Sequence, residues 1–128
     1  MAWEIPGFSD GTRLAKVDLT ANQYKFVKQD GETNVTVIAA DTDNAYGIQQ
    51  NLPRLGQPVA VMKTGISKVV AGEALAAGDE IGTNASGAAV KRSGTETTKR
   101  ILGRVVNGGS NGAIITVELM AIAPRKAG

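Results

Sequence analysis

The chain has 128 residues, 42% of them hydrophobic and only 4% aromatic, and its 14 Lys and Arg against 12 Asp and Glu leave a net charge of +2. It contains neither His nor Cys, which removes the commonest general base and metal ligand, the thiol nucleophile and any disulfide framework together. A chain of this length suits one small domain with a core of Val, Ile, Leu and Ala, each bringing less apolar area than an aromatic ring, and its expected work is binding rather than catalysis.

The basic residues are scattered among acidic ones rather than gathered into a stripe, so no specific nucleic-acid partner is expected. No apolar run approaches the roughly 20 residues of a membrane span, and Met1 to Phe8 lacks the basic and apolar regions of a signal peptide. The expectation is a soluble protein made in the cytoplasm, with no membrane partner and no cofactor. The lack of cysteine fits a reducing compartment without fixing it.

Residues 1–21 show neither a helical nor an alternating pattern. Pro6 biases Ile5 towards an extended conformation, and Gly7 and Gly11 weaken any helix. An extended N-terminal arm is predicted here, ahead of a β-rich domain over 22–123 and a short tail over 124–128. Tyr24, Phe26 and Lys28 alternate with Lys25 and Val27 up to Asp30-Gly31, a tight-turn signal. The return strand places Val35, Val37 and Ala39 on one face and Thr36 and Ile38 on the other before the turn residues Asp41 to Asn44. Tyr46 and Ile48 begin another strand, Val59 and Val61 resume the alternation after Pro53, Gly56 and Pro58, and Ile66 to Val70 follows Thr64-Gly65.

The segment AGEALAAG at 71–78 favours helix by propensity, but its glycines leave it too short to stand alone. It is predicted as a compact connection with Leu75 tucked inward. Glu80 to Thr83 then leads to a small turn at Asn84 to Gly87, and Ile101 to Val106 and Ile114 to Met120 flank a flexible hairpin loop at 107–112, with Ile115, Val117 and Leu119 on one face. Many short strands and no long amphipathic helix predict an all-β fold, a small β-sandwich or β-barrel with an extended N-terminal arm.

The chemical candidates are sparse. Asp41 and Asp43 share a turn in which carboxylates could meet a calcium ion, but the remaining oxygen ligands of such a loop are missing, and turn capping is expected. Asp79 and Glu80 are adjacent, so on a strand they diverge and are expected to be solvated; Glu73 completes the acids considered for hydrolytic work. Ser67-Lys68 diverges in the same way and lacks an oxyanion site. Gly108, Gly109 and Gly112 lack the Lys-Ser/Thr and helix of a phosphate loop. Asn34-Val35-Thr36 and Asn84-Ala85-Ser86 match glycosylation sequons as expected of turn-rich sequence. Lys91, Arg92, Lys99, Arg100 and Arg104 form the densest basic region, without an aromatic platform for nucleic acid, and are expected to form a solvated loop.

Several phrases resemble a family of small tailed-bacteriophage head proteins, the capsid cement or decoration proteins: QYKFVK at 23–28, YGIQQN at 46–51, GISKVVAGEALAAGDEIGTNASGAAV at 65–90, ILGRVVNGG at 101–109 and the opening WEIPGF. The resemblance implies a non-enzymatic structural protein on the outer capsid surface of the virion, bound to the major capsid protein, bracing the expanded shell and commonly gathered as a homotrimer. The other class weighed is a receptor- or glycan-binding module, although the single Trp lies in the expected arm.

Trp3, Ile5, Pro6 and Phe8 are the residues expected to contact the capsid or a neighbouring subunit. Burying Trp3, Ile5 and Phe8 removes on the order of 400 to 500 Å² from water, worth roughly 10 to 12 kcal/mol at about 25 cal/mol per Å². Ordering about eight residues costs roughly 8 to 16 kcal/mol. One arm therefore breaks even, and useful affinity requires backbone pairing, a second contact surface or several arms at once. The competing arrangement folds Trp3 and Phe8 back over an open end of their own barrel.

Overall fold

The computed structural model describes residues 5–6, 9–92 and 101–119. Within them the chain forms eleven strands joined by turns and loops, with no helix. Strands β2 (Ser9–Ala15), β3 (Phe26–Asp30), β4 (Asn34–Val37), β5 (Ala45–Gln49) and β6 (Pro58–Met62) close into a barrel in the order β2-β4-β3-β5-β6. Strands β7 (Gly65–Val70), β8 (Glu80–Thr83), β9 (Ala89–Lys91), β10 (Gly103–Asn107) and β11 (Ile114–Leu119) join β1 (Ile5–Pro6) in a second sheet ordered β1-β7-β11-β10-β8-β9. The all-β barrel architecture expected from the turn spacing is the one observed.

The turns form where the sequence signals them. Gly31 takes φ 74° between β3 and β4, and Gly112 takes φ 86° between β10 and β11, conformations that a side chain would strain. Leu75 is buried within the 71–79 connection, as expected.

The second sheet curls until Ala71, just past β7, makes a parallel bridge to Ala89 in β9. With that bridge its pairings repeat those of the barrel in order and register. Arg13↔Val59 and Leu14↔Pro58 between β2 and β6 correspond to Val69↔Ile115 and Val70↔Ile114 between β7 and β11. Val27↔Val37 corresponds to Ile81↔Lys91, Val27↔Gly47 to Ile81↔Gly103, and Gln49↔Val61 to Val105↔Val117. The parallel pair Ala15↔Val35 corresponds to Ala71↔Ala89. The connecting loops repeat as well: Ala15 N–H donates to Gln57 O and Leu19 N–H to Pro53 O, as Ala71 N–H does to Ala113 O and Leu75 N–H to Gly109 O. The chain thus runs the same five-stranded path twice.

The halves share a core. Ala15, Leu19, Val27, Val35, Val59 and Val61 fill the first barrel. Phe26, Ile38, Ala45, Ile48 and Met62 belong instead to a larger cluster with Ile81, Val105, Ile115 and Val117 of the second half. Phe26 N–H donates to Gly87 O at 2.8 Å and Val70 N–H to Tyr24 O at 2.8 Å, so backbone bonds cross the boundary too. Continuous apolar packing of this kind makes the two halves one cooperative unit.

Three expectations need correction. Among the described residues of the arm expected over 1–21, Ser9–Ala15 is instead a wall of the barrel, paired to β6 on one side and to β4 on the other, and Ile5–Pro6 pairs with Gly65 and Ile66 of β7. Without β2, both β4 and β6 would carry an open edge, so no domain boundary falls at residue 22. Trp3 and Phe8 lie outside the described residues. The strand placed at Tyr24 begins at Phe26, because Tyr24 turns the chain at φ 60°. The face assignment in β4 also fails past its end: Val35 is buried and Val37 exposed, while Ile38 leaves the ladder to reach the common core.

Candidate interaction surface

The acids singled out in the sequence serve local structure. One oxygen of Asp43, Oδ2, accepts from Ala39 N–H at 2.9 Å, Ala40 N–H at 3.0 Å and Lys28 Nζ at 3.1 Å. The Ala39 bond, with Lys28 and Ala40, holds this carboxyl below the usual carboxylate range against the opposing effect of burial. Asp43 is therefore a turn cap, as expected. Asp79 Oδ2 accepts from Ala76 N–H at 2.9 Å, and its other oxygen lies 3.7 Å from Lys91 Nζ. Glu73 Oε2 accepts Lys91 N–H at 2.8 Å. Among the described residues no three His, Cys, Asp or Glu side chains converge as a metal site.

Ser67 is fully buried, where its Oγ donates to Lys68 O at 2.9 Å and accepts from Gln50 Nε2 at 3.0 Å. Lys68 Nζ lies 5.5 Å from the centre of the Tyr24 ring. Gly108 is a packing residue, since a Cβ there would meet Leu75 O at 2.0 Å. Asn84 Oδ1 caps its own turn through Ser86 N–H, Ser86 Oγ and Ala88 N–H. The basic region departs from expectation at Arg92, which is buried and donates to Thr83 O. Arg104 is exposed, and Lys99 and Arg100 lie outside the described residues.

The phrase YGIQQN, by contrast, builds a clamp at one end of the barrel. Gln49 is fully buried; its Nε2 donates to Leu19 O at 2.8 Å and Asn51 O at 2.7 Å, and its Oε1 accepts from Asn22 Nδ2 at 3.1 Å. Asn51 donates to Pro58 O at 3.1 Å and accepts Ala60 N–H at 2.9 Å. With every polar atom of Gln49 engaged, the 16–22 and 50–58 loops are fixed against each other. At the barrel wall Tyr46 receives Arg13 Nε on its hydroxyl at 3.3 Å, and Lys63 Nζ stands 3.6 Å from its ring centre.

Most of the exposed large apolar side chains of the described residues gather at this end: Val17 (39% exposed), Leu52 (52%) and Leu55 (68%) on the clamped loops, and Leu14 (38%) at the end of β2. Exposed Lys16 and Arg54 interleave with them. Asp18, on the same loop, turns its Oδ1 to Thr20 N–H at 2.9 Å and Thr20 Oγ1 at 2.8 Å, bonds that hold it below the usual carboxylate range. Sequence reading passed over this apolar group because its members sit singly, three in loops and Leu14 in a strand without apolar alternation. The four residues expected to make contacts are not brought together on it: Ile5 and Pro6 lie at the edge of the second sheet, and Trp3 and Phe8 are outside the described residues.

No family model matches the chain, and no curated protein matches it in sequence. Among solved structures it is similar to the N base of the head fiber protein gp8.5 of bacteriophage phi29, with a TM-score of 0.66 over 88% of this chain and 92% of that one, at 20% identity. The fold is shared. The likeness extends over both halves of the chain.

Proposed function

We propose that the chain is a non-enzymatic structural virion protein that binds the outer surface of a tailed-phage capsid and stabilises the mature shell as a cement or decoration protein. The observation that carries this reading is the fold shared with the N base of a phage head fiber over most of both chains. The resemblance of its turn-and-strand phrases to small phage head proteins points the same way. The partner is the major capsid protein, and a homotrimer supplies the multivalency that a small contact needs.

A ligand that prefers the mature lattice adds its binding free energy to that state alone, and many equivalent sites multiply the effect. The N-terminal residues Trp3, Ile5, Pro6 and Phe8 contribute at the capsid or between subunits. Among the described residues Ile5–Pro6 is the outermost strand of its sheet, a two-residue edge at which a partner chain could pair. Co-sedimentation of the purified protein with undecorated mature capsids of the parent phage tests the proposal, alongside solution masses. Saturable binding and capsids more resistant to heat are expected. Absence of binding at micromolar protein would overturn it.

A further inference from the structure

We infer that the clamped end of the first barrel, residues 14–19 and 52–58, is a docking face for a protein surface that offers an apolar depression rimmed by carboxylates. The inference rests on the reading of the chain as a capsid-bound protein and adds to the N-terminal residues a second contact surface on the barrel.

The second half of the chain supplies an internal control. Segments 15–19 and 53–57 are knitted by Leu19 N–H to Pro53 O, Gly56 N–H to Ala15 O and Ala15 N–H to Gln57 O, and the second half repeats these as Leu75 N–H to Gly109 O, Gly112 N–H to Ala71 O and Ala71 N–H to Ala113 O. The backbone is the same, but the side chains are not. Where the first barrel exposes Val17 the second half has Glu73, and where it exposes Leu55 the second half has Asn111. Leu52 corresponds to Gly108, which is pressed against Leu75 O by a bond from Gly109 N–H that Pro53 cannot form. This loop end therefore folds with polar side chains, and the apolar ones on the first barrel answer to something other than folding. Isolated exposed apolar residues are ordinary; several on two loops locked in place by a buried clamp are not.

Charge decides the occupant. Exposed Lys16 adjoins Val17, and exposed Arg54 stands between Leu52 and Leu55. The nearby Asp18 has committed one carboxylate oxygen to Thr20 and lies within electrostatic reach of Arg54, which leaves the face with a net positive rim. In a two-fold contact with a second copy, that rim would meet charge of its own sign. An acid-rimmed apolar surface on a different protein meets it with opposite charge, with the apolar residues as the anchor and the cations as the rim.

The test uses the substitutions that the second half already carries. The double variant Val17→Glu with Leu55→Asn, and Leu55→Asn alone, are expected to melt within about 3 °C of the parent and to keep its solution mass. Bound to undecorated mature capsids, the double variant is expected to be at least tenfold weaker than the parent, and Lys16→Glu with Arg54→Glu to weaken binding and flatten its salt dependence. Binding of the folded double variant equal to that of the parent would overturn the docking face and leave the capsid reading standing. Failure of the parent itself to bind would overturn both. A fall in solution mass on substitution would assign the face to a second copy and overturn the acid-rimmed partner.

Discussion

In the first barrel the inner positions are Ala15, Leu19, Val27, Val35, Val59 and Val61, and in the second half the positions of equal register hold Ala71, Leu75, Ile81, Ala89, Ile115 and Val117. The sizes differ by at most a few methyl groups. The exposed loop positions diverge without restraint, Val17 against Glu73 and Leu55 against Asn111, and one buried position does too, Gln49 against Val105. Shared backbone with divergent surface separates what the fold requires from what it merely permits. The requirement is six small or branched apolar side chains, one close-approach glycine per half and a left-handed glycine in each of several turns.

That close-approach glycine gives the largest expected effect. A Cβ on Gly47 would meet Met62 O at 2.5 Å, and one on Gly103 would meet Glu118 O at 2.3 Å, at equivalent places in the two ladders. Neighbouring backbone carbonyls cannot yield as a flexible side chain would. Gly47→Ala and Gly103→Ala should each cost roughly 2 to 4 kcal/mol by forcing the strands apart. Chemical denaturation would reveal a single transition for both variants, since the halves share one core; two separate transitions would contradict that sharing. Next come Leu19→Ala and Leu75→Ala, the loop leucines sealing each half, at about 2 to 4 kcal/mol apiece. Leu19 is fully buried and Leu75 nearly so, hence the former should cost slightly more.

Those equivalences were hard to see in the sequence. Strands from Phe26 onward were legible because alternation is punctuated by Asp30-Gly31, by the turn ending at Gly87 and by the glycine-rich 107–112 loop. Strand β2 was not: SDGTRLA offers no apolar alternation, since at the barrel wall its inward register is taken up by Arg13 against Tyr46 before Ala15 reaches the interior. The repeat was hidden because identical residues survive at few matched places, among them Ala15 and Ala71, Leu19 and Leu75, Gly47 and Gly103, and Gly56 and Gly112. Expectations for the binding residues rested on aromatic content, which drew attention to Trp3 and Phe8. Val17, Leu52 and Leu55 become conspicuous only when the second half shows what else can stand there.

The clamp sharpens the comparison at intermediate cost. Val105 occupies the place of Gln49 and makes the same backbone bond, to Asp79 O instead of Lys25 O, so an apolar side chain fits that backbone. In the first half, however, Gln49→Val would strip partners from Asn51 O and the Asn22 amide and leave Leu19 O with only its bond from Asn22 N–H. Buried groups left unsatisfied cost about 1 to 3 kcal/mol. The expected outcome is a loss of roughly 2 kcal/mol together with faster amide exchange in the 16–22 and 50–57 loops; a neutral Gln49→Val would mean that the clamp is redundant with the backbone bonds both halves share.

The smallest effect concerns acid. Bonds from Ala39 and Ala40 N–H and from Lys28 depress the folded-state value of Asp43, and those from Thr20 do so for Asp18. A depressed carboxyl stabilises the fold in full above its unfolded value and loses that contribution as pH falls through the folded one. Thermal midpoints should therefore be flat near neutrality and decline below about pH 4. Asn in place of Asp43 keeps an oxygen for the turn but no charge for Lys28, so Asp43→Asn should flatten part of the decline while lowering the neutral-pH midpoint slightly. Both depressed carboxyls cap first-half turns, and Asp43 sits in the connection between β4 and β5. Amide exchange followed through the same titration should accordingly show that connection opening before the β10–β11 hairpin; simultaneous opening would place the acid sensitivity in the shared core instead.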